Sequence, residues 1–323
     1  MSALACPASL KGVLGAVEAA RWLATGLRAA GIEARECPLA DGGEGTAEVL
    51  SLALGGHWFG TAVADQLGRL VTARYLMLPG GTAVVESAEA IGLAGLSADE
   101  LDPWQASSRS FGELVADALK REPRSLLVCL GGVATVDGGA GMREVLDSLP
   151  VPTRVACDVR NPLLGPRGAA RAFGPQKGAT ADVVDALEAR LASMKELAPF
   201  AGLPGAGAAG GLGAAFAALG AELVSGAELV LDLVGFRERL RGVDFAVTGE
   251  GTVDRSTFEG KAPGEALRVC REEGVRCELF GGVVAQAPVG VSLHELSGDS
   301  ARAAADLVEL GRSFGSDGGQ AGA

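Results

Sequence analysis

Apolar and polar positions along this chain follow a rhythm of short apolar runs, each leading through a turn into an amphipathic stretch. The run ALAC passes through PASLKG into GAVEAARWLATGLRAAG, where apolar residues recur every three or four positions. That is the period of a helix with one buried face. IEARECPL then leads through ADGGEGT into the short helix-like AEVLSLAL. Next come HWFGTAVAD, VTARYLML and TAVVESA, three strand-like runs separated by the turn clusters DQLG and PGG. This string of strands breaks the alternation and predicts a domain change near residue 65. Beyond it, FGELVADALKRE feeds SLLVCL, and PTRVACDV precedes the helix-like DVVDALEARLASMKEL. DFAVTGEG precedes APGEALRVCREEG, and CELFGGVV precedes ARAAADLVELGRS. ELVLDLV is apolar without a decided type, and the tail GSDGGQAGA reads as disordered. Apolar strands followed by amphipathic helices predict a largely parallel sheet covered on both faces. Ligands of such sheets bind beyond the carboxyl ends of the strands. Here those ends carry PASLKG, ADGGEGT, GGVATVDGG, ACDVRNP and TGEGTVD.

Composition narrows the chemistry. A length of 323 residues suggests two domains. The 49 glycines are about double the usual ~7% and fall between regular elements, as loop and turn residues. Aromatics make up 4% and the net charge is −12, which argues against nucleic acid, since a phosphate backbone needs a basic face. Six scattered cysteines without a CxxC pair fit a reducing, cytoplasmic setting better than disulfides or zinc. With two histidines, His57 and His294, far apart, acid–base work falls to Asp, Glu or Lys. The N-terminus lacks the pattern of a signal peptide. Leu197 to Ala221 carries no charge, but Pro199, Pro204 and seven glycines make it a loop feeding a small-residue helix, not a membrane span.

The lip loops carry the candidate chemistry. There is no GxxxxGK[ST]. The stretch from Gly205 to Gly210, GAGAAG, matches GxGxxG with Asp232 at the ribose-binding distance, yet LAPFAGLP before it forms no strand. A dinucleotide-dependent oxidoreductase is therefore a weak alternative. Lys11 stands before a helix, where its charge opposes the helix dipole, so Lys11 and Ser9 are candidates to grip an anionic group. Asp41 and Glu44 could form a capping box and Asp137 an N-cap, but the paired glycines beside each acid suit close approach to a ligand. Asp158 ends an apolar strand, where a carboxylate must be exposed or partnered. Glu250 and Asp254 occupy a similar lip, and Lys177 and Lys261 sit in Gly/Pro-flanked loops. Carboxylates for Mg²⁺, with lysines and glycine amides for phosphates, form the set that phosphoryl transfer needs. Carbohydrate cleavage could use paired carboxylates, but a sugar groove usually brings aromatics that are scarce here.

Across nearly its whole length the chain resembles the bacterial type I glycerate kinases. The resemblance rests on PASLKG, PLADGGEGT, LGGVATVDGGAGM, ACDVRNPLLGPRGAARAFGPQKGAT, PGAGAAGGLGAAFAALGAEL and DFAVTGEGTVDRSTFEGKAP. It implies an α/β protein of two domains, a flavodoxin/Rossmann-like parallel-sheet domain with a second α/β domain inserted in it and the site between them. The expected division is 1–65 plus 255–323 for the first domain and 66–254 for the inserted one. It implies phosphorylation of D-glycerate, or a similar hydroxy acid, by ATP with Mg²⁺, typically giving 2-phosphoglycerate. Carried onto this sequence, Asp41, Asp158 and Lys11 become the catalytic candidates, with Asp41 and Asp158 also candidates for the metal. Ser9, Glu44, Asn161, Gly131, Gly132 and Asp137 fall to the substrate, and Lys177, Glu250, Asp254 and Lys261 to the nucleotide. The family's PDSFKGS has Ala8 and Val13 here, its GGSATNDGG has Val133 and Val136, and its TGEGRID has Thr252. Each change replaces a polar group in a lip loop. A paralogue that binds a small hydroxy acid without turnover, or acts on an altered substrate, is the second expectation.

Overall fold

The computed structural model describes residues 1–285 and 290–316. The chain runs β1 (Ser2–Ala5), α1 (Ala16–Ala29), β2 (Glu33–Glu36), α2 (Thr46–Leu54), then β3 (His57–Ala64), β4 (Leu70–Met77) and β5 (Thr82–Glu86). It continues with α3 (Ala88–Ile91), α4 (Arg109–Leu119), β6 (Ser125–Cys129), α5 (Ala140–Arg143), β7 (Thr153–Cys157), α6 (Ala169–Phe173) and α7 (Ala181–Ser193). Next are α8 (Leu212–Ala218), β8 (Glu222–Ser225), α9 (Gly226–Leu233), α10 (Phe236–Leu240) and β9 (Phe245–Val253). The last elements are α11 (Ala262–Glu273), β10 (Arg276–Val284), β11 (Ser292–Glu295) and α12 (Ala303–Ser316). The expected disordered tail falls mostly on 317–323, outside the described residues; Gly315 and Ser316 close α12.

Two compact units divide the chain: residues 1–41, 48–53 and 227–323 in one, residues 42–47 and 54–226 in the other. The strand pairing corrects the boundaries expected at 65 and 254. β3 pairs antiparallel with β4 and so belongs to the second unit, while β9 pairs parallel with β1 and belongs to the first. ELVS, with no assignment from the pattern, forms β8, and most of ELVLDLV forms α9.

The first unit is built on a five-stranded, wholly parallel sheet in the order β11-β10-β9-β1-β2. Counted along the chain this is 2-1-3-4-5, the flavodoxin-like order, which reverses direction between β1 and β9. α1 forms because Ala19, Ala20, Leu23, Ala24 and Leu27 give one buried stripe, with Glu18 in its first turn and Arg28 in its last to match the dipole. Gly31, at φ +76°, ends it: the Gly31 N–H reaches the Arg28 carbonyl and the Ile32 N–H reaches the Leu27 carbonyl. α1 and α12 cover one face together with Phe245, Val247 and Phe280 of the strands. They approach to backbone contact, since a Cβ on Gly26 would lie 2.2 Å from the Val308 carbonyl oxygen. On the other face Leu267 of α11 packs with Val253 and Leu279.

The second unit has a six-stranded mixed sheet, β3-β4-β5-β6-β7-β8, antiparallel through β5 and parallel after it. Its core joins Tyr75, Val85, Val128 and Val155 of the strands to Phe111, Leu187 and Phe216 of the helices. Leu197–Ala221 lies in this unit as short helical turns leading into α8, whose Leu212 to Ala217 are all buried. Among the described residues no helix is long and apolar enough to cross a membrane. Five of the six cysteines are buried and Cys277 is partly so.

Candidate active site

In the five-stranded unit a pocket of about 280 Å³ opens beyond the carboxyl ends of β1 and β9, where the strand order reverses. This is where open parallel sheets take their ligands. Lys11, Glu250, Thr252, Lys261, Asp299 and Ser300 give it polar walls, and Leu10, Val13, Val283 and Leu296 an apolar floor. Lys11 is exposed in a tight loop whose Leu10 and Leu14 bridge each other, with Gly12 at φ +75° making the turn. Glu250 is buried near the end of β9 and takes a hydrogen bond from the Thr257 hydroxyl at 2.7 Å. Lys261 Nζ lies 3.5 Å from its other oxygen. Burial raises the Glu250 carboxyl above its ordinary range, Thr257 and Lys261 pull it back, and the charge of Asp41 adds to the rise. The pocket thus holds a buried carboxyl partnered by one lysine and one hydroxyl, with a second lysine exposed at the mouth.

Asp254, at the end of β9, caps the following turn: it accepts the Ser256 N–H at 2.7 Å and the Ser256 hydroxyl at 2.5 Å. These bonds hold its carboxyl below the ordinary range. Asp254 therefore shapes the loop that carries Thr257 and Lys261. Asp299 and Ser300, which line the pocket, were not singled out by the sequence pattern because SGDS there reads as an ordinary turn.

In the six-stranded unit the two glycine-rich loops meet. A Cβ on Gly131 would lie 3.1 Å from the Gly43 Cα, and one on Gly132 would lie 3.1 Å from the exposed Glu44 carboxylate. Glycine is what lets these backbones pack so closely. Gly42, at φ +86°, is equally confined, because a Cβ would sit 2.7 Å from the Gly226 Cα. The expected capping box of Asp41 and Glu44 is replaced by a residue from another strand. Glu86, buried at the end of β5, accepts the Gly45 N–H at 3.1 Å and the Ala47 N–H at 2.5 Å. Burial pushes its carboxyl up to about 7 against these two bonds, with Glu89 and Glu44 adding repulsion.

Asp137 is buried and takes the Ser108 N–H, the Ser108 hydroxyl and the N–H groups of Gly139 and Gly141, between 2.7 and 3.2 Å. Its bonds use both oxygens to fix the backbone of this loop. Asn161 staples its own loop: its side-chain amide N–H donates to the Arg167 carbonyl at 2.7 Å. Lys177, expected on a solvated loop at the nucleotide, is instead buried, its Nζ donating to the Thr135 carbonyl at 2.8 Å. Burial pulls it down to about 7 despite the pull of Asp137. Lys177 therefore braces the GGVATVDGG loop from within. Asp158 stays half-exposed at the lip after β7, and its charge helps burial push the Cys157 thiol up to about 12.

Two expectations about the loops change. Val133 and Val136 point into the core, 3% and 0% exposed, so their apolar character is packing rather than a polar group lost from the lip. The GAGAAG glycines also serve packing: a Cβ would come 2.3 Å from the Pro162 oxygen at Gly207 and 2.0 Å from the Thr135 oxygen at Gly210. The segment before them is a short helical turn, not a strand, and Asp232 belongs to the other unit. The dinucleotide motif is coincidental.

The fold and loops thus define a two-domain α/β protein with carboxylates and lysines at strand ends. The glycerate kinase family model matches residues 3–151 and 146–298, and the chain belongs to that family. It is 37% identical over 305 residues to the glycerate kinase of Bacillus subtilis (strain 168), covering 81% of this chain and 80% of the relative. It is 36% identical over 305 residues to the glycerate 2-kinase of Escherichia coli (strain K12), covering 81% and 80%. A crystal structure assigned as glycerate kinase 2 from Salmonella typhimurium LT2 superposes with a TM-score of 0.81 at 30% identity, covering 98% of each chain.

Proposed function

We propose that the protein is an ATP-dependent kinase that phosphorylates D-glycerate to 2-phosphoglycerate. The observation that carries this reading is the pocket at the β1/β9 reversal, with Lys11, Lys261 and the buried Glu250, in a chain of the glycerate kinase family. Phosphoryl transfer depends on positioned cations and amides that stabilise charge spreading over the moving group. Lys11, with Ser9 beside it, and Lys261 are the groups of this unit suited to an anion. Glu250 holds Lys261 in place by their ion pair. Asp41 or Asp158 is the carboxylate that draws off the proton of the acceptor hydroxyl. Glu44, beside Gly132, faces the substrate hydroxyls.

Among the described residues no cluster of three or more His, Cys, Asp or Glu is placed to hold a metal ion. The reading takes Mg²⁺ as arriving with the nucleotide phosphates, so that it needs only one or two carboxylates from the protein. Asp41 or Asp158 is the residue that would hold it, and the ion would neutralise charge on the transferring phosphate. The test is ADP release by the purified protein with Mg-ATP against a panel of hydroxy acids. Turnover confined to D-glycerate and close analogues supports the assignment; absence of ADP with every acid overturns it. The paralogue reading loses two of the residues that raised it, because Val133 and Val136 lie in the core.

A further inference from the structure

Consecutive side chains at the carboxyl end of β5 hold the two glycine-rich loops of the six-stranded unit, one loop each. Glu86 accepts the two N–H groups that open α2, at Gly45 and Ala47. Ser87, fully buried, donates its hydroxyl to the Gly131 carbonyl at 3.1 Å and accepts the Gly131 N–H at 3.2 Å. The segment that follows continues the attachment: the Leu93 N–H reaches the Gly132 carbonyl at 2.7 Å, and the Ala134 N–H reaches the Ile91 carbonyl at 3.0 Å. The Gly43–Gly131 and Glu44–Gly132 approaches then leave either loop little room to move without the other.

We infer that Glu86 and Ser87 are positioning residues for the acceptor substrate, fixing the ADGGEGT and GGVATVDGG loops in register so that Glu44 is held beside Gly132. Stability alone explains Glu86 poorly. A buried carboxylate is costly unless it is partnered by a cation or by several donors. The charges acting on Glu86 are the acidic Glu89 and Glu44, and its bonds are to the backbone of one loop. An apolar side chain with a conventional Ser or Asp cap on α2 would stabilise the fold at less expense of desolvation. What Glu86 adds is a two-point hold on the loop, at Gly45 and at Ala47, from a rigid strand.

The inference rests on the glycerate kinase reading, and its test separates the two. Glu86→Gln keeps the volume but turns an amide N–H₂ toward an N–H donor; Ser87→Ala removes both bonds to Gly131. Hydrogen exchange on the full-length wild type and each variant reads the loops without any substrate. At least a tenfold loss of protection is expected in 42–47 for Glu86→Gln and in 130–134 for Ser87→Ala, with β6 peptides over 125–129 unchanged. Steady-state kinetics then reads the consequence. KM for D-glycerate should rise and kcat fall, each at least fivefold, while KM for ATP stays within twofold. A structural role alone would reduce the active fraction and leave both KM values unchanged. Unchanged exchange at the loops, a uniform loss that includes β6, or unaltered KM for glycerate overturns the positioning role. Wild type that turns over no hydroxy acid overturns the kinase reading, and the positioning role falls with it.

Discussion

Lys177→Met tests whether a buried lysine braces the GGVATVDGG loop in its neutral form. The substitution keeps a linear apolar chain and removes the ammonium. In the folded protein Lys177 titrates near 7, against 10.5 for a free lysine, because burial disfavours its charge. Between those values the unfolded chain holds a proton that the folded protein has released. The penalty on stability is therefore complete below pH 7 and fades as pH rises toward 10.5. At ~1.36 kcal/mol per pH unit the full penalty is about 5 kcal/mol. Methionine carries no such penalty, but it leaves the Thr135 carbonyl without its donor, a pH-independent loss of about 1–3 kcal/mol. Urea denaturation of both proteins at pH 7, 8 and 9 isolates the effect, since the other titrating groups are common to both. Wild type should gain about 2–3 kcal/mol relative to Lys177→Met over that range. The window stops at pH 9, where unfolded thiols ionise while Cys37 and Cys157 are held up to about 11 and about 12. Lys177→Arg, which cannot shed its charge, should destabilise at every pH. A wild-type-to-Met difference that stays flat from pH 7 to 9 would refute the reasoning.

Three further substitutions probe the loops and the pocket. Gly42→Ala forces a side chain into a left-handed position 2.7 Å from the Gly226 Cα, and should lower unfolding stability by about 2–5 kcal/mol by denaturant melt. Val136→Asn, which restores the residue usual in the family, places an amide in a fully buried site; it should lower the melting temperature without raising kcat. Lys261→Ala leaves Glu250 buried without its cation, and should raise KM for ATP at least tenfold while far-ultraviolet circular dichroism is unchanged.

Much of the architecture was legible because its elements agree with local chemistry. The stripe of α1, the closely spaced strands β3 to β5 and the Pro-initiated α11 all follow from residue pattern. β8 was not legible, because four residues after the turn at Gly220 are too few to show a period. Side-chain direction in the glycine loops was equally hidden. Val133 and Val136 stand three positions apart in a loop that follows the left-handed Gly132, and no strand period would place both on one face. Lys177 looked solvated between Pro175 and Gly178, yet a single 3₁₀ turn carries it into the core. Glu86 was within reach of sequence reasoning: a carboxylate ending the apolar run TAVVE poses the same question that Asp158 poses after TRVAC. The surrounding ESAEA simply looked like the acidic start of a helix.

The central claim is best tested by following product rather than ADP alone. The purified protein would be incubated with Mg-ATP and D-glycerate, and enolase added to convert 2-phosphoglycerate to phosphoenolpyruvate, read by its ultraviolet absorbance. The account predicts absorbance without any added phosphoglycerate mutase, with one phosphoenolpyruvate formed per ADP released. ADP released with no signal until mutase is added would place the phosphate on the other hydroxyl, and no ADP at all would contradict the kinase itself.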